Sequence, residues 1–175
     1  MKKNIMTLAA VLCCCLFTSC QKEGEDTTKE EPQDNTPASV ELGFTFFATE
    51  DMLSFADIVV TYNDGTEDKT ETMSALTWSK SFKANLPATF KFERKVSVKE
   101  GYKFEDRAYS YTMDQLVEYK ILNAKGVAVK SQRSGGEGFP TNLKGNKLEY
   151  VVTQGDLNAS VTYAFDKDGN CPQFK

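Results

Sequence analysis

Thiols and carboxylates dominate the reactive side chains of this sequence, which has five cysteines, 25 acidic residues and no histidine. The missing imidazole removes the commonest general base, the commonest catalytic zinc ligand and the usual activator of a serine or cysteine nucleophile. Carboxylates alone could serve glycoside hydrolysis, which needs two of them about 5 to 9.5 Å apart across a cleft. The neighbouring pairs Glu67/Asp68 and Glu105/Asp106 do not suit it, since adjacent residues on a strand point to opposite faces. Both pairs read as solvated surface. Asp166-Lys167-Asp168-Gly169-Asn170 places carboxylates at alternate positions, as at the opening of a calcium loop. No closing glutamate follows, and Asp and Gly are the usual turn formers, so the segment is expected to be a turn.

Trp78, Tyr102, Tyr109 and Tyr111 could stack on sugar rings, but aromatics of this size usually fill a small core. Trp78 lies between Leu76 and Phe82 on a plausible inward face. Ser134-Gly135-Gly136-Glu137-Gly138 lacks the Lys-Ser/Thr and helix start of a phosphate loop and reads as a mobile loop. The expectation is therefore no catalytic residue, no cofactor and no metal site.

The cysteines divide by context. Residues 5–17 form a 13-residue, almost wholly apolar run after Lys2 and Lys3. This is short of the ~20 residues a bilayer-spanning helix needs but suits a secretory signal peptide. Cys13, Cys14 and Cys15 sit inside it as small hydrophobes. Cys20 instead follows Phe17-Thr18-Ser19 and precedes a polar stretch. This arrangement resembles the lipobox of bacterial lipoproteins, with Phe17 standing where Leu, Val or Ile is common. The resemblance implies a signal peptide over residues 1–19, cut by signal peptidase II, and a diacylglycerol on the Cys20 thiol. Two or more acyl chains hold firmly, at about 0.8 kcal/mol per buried methylene, so the membrane is a partner through the anchor on Cys20. Cys171 is then the one thiol left, without an internal disulfide partner.

Residues 21–39, QKEGEDTTKEEPQDNTPAS, hold six acidic residues against two lysines and no aromatic. Such a composition buries too little apolar surface to offset chain entropy, so residues 20–39 read as the lipidated cysteine and a disordered linker reaching about 25 Å. Gln21-Lys22-Glu23-Gly24-Glu25-Asp26 resembles the acidic signal that sends Bacteroidota lipoproteins to the outer face of the outer membrane. Asp26-Thr27-Thr28 resembles the O-glycosylation acceptor of the same bacteria.

These side chains must be carried by the domain expected over residues 40–175. In residues 88–99, Phe90, Phe92, Val96 and Val98 share one face and Thr89, Lys91, Glu93, Lys95, Ser97 and Lys99 the other, the alternation of a half-buried strand. Arg94 breaks the apolar face, which suggests a position near a sheet edge. Similar alternation marks residues 40–49, 58–62 and 159–165. Asn63-Asp64-Gly65, Ala124-Lys125-Gly126 and Asp168-Gly169 supply turns between strands. Residues 112–122 match both a helix, through a capping box at Thr112, and a strand with Val117, Tyr119 and Ile121 inward. The strand is preferred because Val127-Ala128-Val129 can pair back on it. Short strands at this spacing, without intervening helices, predict a single antiparallel, immunoglobulin-like β-sandwich. The segments VVTYNDGTEDKTETM, LTWSKSF, LPATFKF and KVSVKEG, within residues 56–101, resemble a small all-β domain of Bacteroidota lipoproteins, which implies the same fold and no activity.

Beyond the linker, 17 basic residues face 19 acidic ones, without a basic stripe for phosphates, so nucleic acid is not an expected partner. The expectation is a monomeric, non-enzymatic lipoprotein of the outer membrane that binds a protein or glycan, displayed at the cell surface, with the periplasmic face as the alternative location. A small carboxylate-dependent hydrolase and an assembly subunit joined by strand edges are the alternatives.

Overall fold

A computed structural model of the chain describes residues 34–63 and 66–174. The leader, Cys20 and the linker as far as residue 33 lie outside the described residues. Their start is close to the compositional boundary: β1 (Pro37–Phe47) begins three residues before Val40. Residues 37–39 bring little apolar surface, yet they are held as backbone. Ser39 lies opposite Asn85 on one side and Leu122 on the other, and the Ala38 carbonyl accepts the Leu86 N–H. Composition predicts coil there because it does not register ladder hydrogen bonds.

From β1 the chain passes through α1 (Glu50–Phe55) to β2 (Ala56–Asn63), β3 (Asp68–Thr72), β4 (Thr77–Asn85) and β5 (Ala88–Val98). There follow β6 (Ala108–Tyr111), β7 (Gln115–Asn123), β8 (Ala128–Gly135), β9 (Thr141–Lys144), α2 (Gly145–Thr153) and β10 (Ala159–Phe165). One sheet has the order β4-β1-β7-β8, the other β10-β5-β2-β3, and β6 pairs with β9 in a small ribbon. Neighbouring strands are antiparallel throughout. The chain is thus an all-β sandwich, sharing the two-layer architecture of immunoglobulin-like domains with its own strand order.

Period-two patterning builds the core. Val40, Leu42, Phe44 and Phe46 of β1 and Phe90 and Phe92 of β5 are almost completely buried. Phe44 and Phe92 stack across the sheets at a centroid separation of 4.1 Å. Residues 115–123 are a strand, with Val117, Tyr119 and Ile121 buried. The capping box at Thr112 makes a local turn instead, its hydroxyl accepting the Asp114 N–H. The hairpin after β7 is closed by Asn123, whose side-chain oxygen accepts the N–H groups of Lys125 and Val127.

The structure departs from the expectation in two further places. It contains helices, since α1 carries the chain from one sheet to the other and α2 covers the end of the second. The signals for α1 were Thr49, which caps the Met52 N–H at 3.1 Å, and the acidic pair Glu50 and Asp51, both favourable at a helix start. Arg94 is also not near an edge. It stands on β5, between β10 and β2, and is fully buried. Alternation places a residue on a face but cannot say where its strand stands in the sheet.

Both open sides of the sandwich are closed by side chains. Between the edge strands β3 and β4, Glu71 accepts hydrogen bonds from Tyr62, Trp78 and Lys80, each 2.8 Å long. On the other side Phe174 packs edge-on against Tyr119 at 4.6 Å and lies near Tyr163.

Candidate functional site

The β1 register brings residues from four strands onto the outer face of the first sheet. Glu41 lies opposite Lys83 of β4 and Lys120 of β7, and Gly43 opposite Ser81 and Glu118. On β8, Arg133 lies opposite Glu118 and Ser131 opposite Lys120. Two rows therefore cross the sheet, Lys83-Glu41-Lys120-Ser131 and Ser81-Gly43-Glu118-Arg133. They line an open trough of about 670 Å³.

Gly43 makes the trough. It sits mid-strand in an interior strand, where glycine has no side chain to pack and weakens the strand by about 0.5–1 kcal/mol relative to alanine. Glycine at such a place often marks close approach of a ligand or another backbone. A Cβ at this position would lie 3.2 Å from Cγ of Glu118, so the Glu118 side chain reaches over the bare backbone. Phe82 and Tyr119 alternate inward and pack in the core, which leaves the trough without an aromatic wall. Lys83 donates to Glu41 at 2.8 Å, and that hydrogen bond holds the Glu41 carboxyl below its ordinary range.

The residues singled out in the sequence are elsewhere. Trp78 is buried and donates to Glu71. Tyr109 is buried beside Phe55, and its hydroxyl accepts the Glu105 N–H at 3.0 Å. Tyr102 packs on the same cluster and Tyr111 is half-buried. The four aromatics serve the core and make no exposed platform. Glu67 faces Lys69 at 3.9 Å, Glu105 faces Arg107 at 3.9 Å and Asp106 faces Lys144 at 3.3 Å. The pairs are surface carboxylates with cationic neighbours.

Asp166 spends its carboxylate on its own turn, accepting the N–H groups of Asp168 and Asn170 and the Asn170 side chain. Among the described residues, no group of three or more Cys, Asp or Glu side chains is placed to hold a metal ion. Gly135 and Gly136 adopt positive φ, and Asp114 accepts the Gly138 N–H at 2.7 Å, tying down the glycine loop. Cys171 is buried, its thiol donating to Gln173, and burial pushes the thiol pKa up. Cys20 lies outside the described residues, and no described helix is long and apolar enough to cross a membrane.

Among the described residues Glu71 has the most displaced carboxyl, held at about 2 against an ordinary 4.5 by hydrogen bonds from Lys80, Trp78 and Tyr62. Among the described residues, the carboxyls of Asp34, Glu41, Asp51, Glu93 and Asp166 are also held below their ordinary range. Glu41 and Glu118 share the trough, and neither stands out in the sequence. They lie 77 positions apart, on strands whose pairing only the fold reveals. The one available signal was Gly43 within an otherwise alternating run. No protein-family model, curated protein or solved structure matches the chain.

Proposed function

We propose that this chain is a lipid-anchored protein of the bacterial outer membrane whose sandwich binds a protein or glycan partner at the cell surface without chemically altering it. The leader and Cys20 support the anchor, and the acidic residues after Cys20 support surface display. The observation that carries the binding half is the charged trough opened by Gly43. A carboxylate hydrolase needs one carboxylic acid with a raised pKa, whereas in this trough the hydrogen bond from Lys83 holds the Glu41 carboxyl below its ordinary range, which supports binding over catalysis.

The test uses the full chain expressed in a bacterium that processes lipoproteins. Mass spectrometry of the membrane fraction is expected to find diacylglycerol on Cys20, and protease added to intact cells is expected to remove the domain. A screen of the purified lipoprotein against glycans and envelope proteins should then return a ligand that competes for the trough. An unmodified Cys20, protection from protease, or breakdown of a captured glycan would each overturn the corresponding part of the reading. Concentration-dependent self-association would favour strand-edge assembly instead.

A further inference from the structure

We propose that the trough takes an acidic oligosaccharide, one whose sugar units carry carboxylates; this rests on the binding reading above. Three physical features favour that class. Protein interfaces place aromatic and other apolar anchors at their centres and are depleted there in Lys and Glu. Here the centre is Gly43, and four of the five charged side chains around it, Glu41, Lys83, Glu118 and Lys120, are of the depleted kinds, with Arg133 the fifth. Neutral sugars bind through stacking on aromatic faces, and the outer layer of this trough offers none, because Phe82 and Tyr119 point into the core. Charge and hydroxyl recognition remain.

The charge pattern narrows the ligand further. Three cations against two carboxylates give the lining a net charge of +1. Lys83 is already paired with Glu41, which leaves Lys120 and Arg133 on adjacent strands, at diagonal positions, to receive a carboxylate. Arginine does so with two parallel hydrogen bonds. Glu118, lying over Gly43, and Glu41 can accept from sugar hydroxyls. A polyanion with several charges per unit would meet repulsion from these two carboxylates. One carboxylate per sugar, alternating with hydroxyls, matches a surface that itself alternates in sign. Lys83 and Lys120 are separated by two strand spacings, about 10 Å, so the face spans a few sugar rings.

The experiment is titration calorimetry of the full-length lipoprotein in detergent micelles. The probes are an oligogalacturonate of defined length, its methyl-ester form, a sulfated oligosaccharide of equal length and a short polyglutamate. The oligogalacturonate is expected to bind at least tenfold more tightly than the other three, and to weaken several-fold between low and high salt. Lys120→Gln and Arg133→Gln are each expected to weaken it about tenfold. Gly43→Val is expected to abolish binding while leaving the melting temperature unchanged or higher, since it places a β-branched residue in a strand. Should that variant fail to fold, the two glutamine variants, which alter only exposed side chains, decide the matter.

Equal binding of the methyl ester, of the sulfated probe or of polyglutamate would overturn the carboxylated-sugar assignment, as would unchanged binding in the Lys120 and Arg133 variants. If no acidic sugar binds but another ligand competes for the trough, the class is wrong and the binding function stands. If no ligand of any class is found by the wider screen, both fall.

Discussion

Glu71 and Arg94 show two opposite fates of a charge within one small domain. Glu71 accepts three hydrogen bonds at the seam between the sheets, and its carboxyl is held at about 2 against an ordinary 4.5. A carboxyl lowered on folding contributes stability that is complete above its unfolded value, near 4.5, and is lost as pH falls towards 2. Glu71→Gln should therefore lower the urea midpoint at pH 7, with the gap to the native protein closing as the pH approaches 2. Trp78 is the only tryptophan and donates to Glu71, so its fluorescence should shift over the same acid range in the native protein and not in the variant. Arg94 is fully buried, with Nε and Nη2 unpartnered among the described residues and one long bond, 3.4 Å, from Nη1 to the Phe47 carbonyl. Burial lowers its pKa from 12.5 to about 10, equivalent to about 3 kcal/mol against folding while the group is charged. The Phe46 ring, 5.0 Å from the guanidinium, offsets part of this. Arg94→Met keeps the volume and removes the charge, and should raise stability by about 1–2 kcal/mol in urea titrations. Arg94→Ala leaves a cavity and should lower it by a similar amount or more.

The elements of the sandwich follow from alternation, but their positions follow from how its sides are closed. On the β10 side, Phe174 covers Tyr119 and Tyr163, and Cys171 lies buried beneath the same segment. Burial pushes the Tyr163 hydroxyl up to about 12 and raises the Cys171 thiol as well, so the thiol of the native protein should resist an aromatic disulfide reagent at pH 8. Phe174→Ala removes the cover. The reaction rate should rise at least tenfold, with far-ultraviolet circular dichroism unchanged. An equally unreactive variant would show that β8 and β10 shield the thiol without this segment. At α2 the decisive residue is Gly145, where a Cβ would clash with the Glu105 carbonyl oxygen. The helix docks there by direct contact with the backbone, a requirement that no periodicity announces. Leu148 and Val152, one helical turn apart and buried, were visible in the sequence, but they lie within a run that also contains Tyr150 and Val151 and reads equally as strand.

At the scale of the whole molecule, the lipoprotein proposed above would join a tether to a binding face. Cys20→Ser should move the protein from the membrane fraction to the soluble fraction, measured by immunoblot after fractionation. Its affinity for the trough ligand should not change, because the lipid and the trough are separate parts of the mechanism. Two acyl chains are the difference between firm and marginal attachment, so partial retention in the membrane fraction would point to a second contact with the membrane. The outer face of the first sheet, like other solvated sheet faces, contributes little to the core. Its composition was therefore free to serve binding, and the half of each strand that alternation assigns to water is where a ligand would be sought.

The sequence by itself determined the strand periodicity, the polar and apolar faces and the turn at Ala124-Lys125-Gly126, since these are local properties of residues within a few positions of each other, and its composition alone removed imidazole chemistry. Only the tertiary structure decided that Arg94 lies in an interior strand, that Glu71 pins one sheet to the other, and that Glu41, Gly43, Glu118 and Arg133 share one face. Those facts depend on which strand pairs with which and in what register. Pairing is chosen by the packing of the two sheets against each other, as in the stack of Phe44 on Phe92, and that free energy belongs to the assembled core rather than to any one segment.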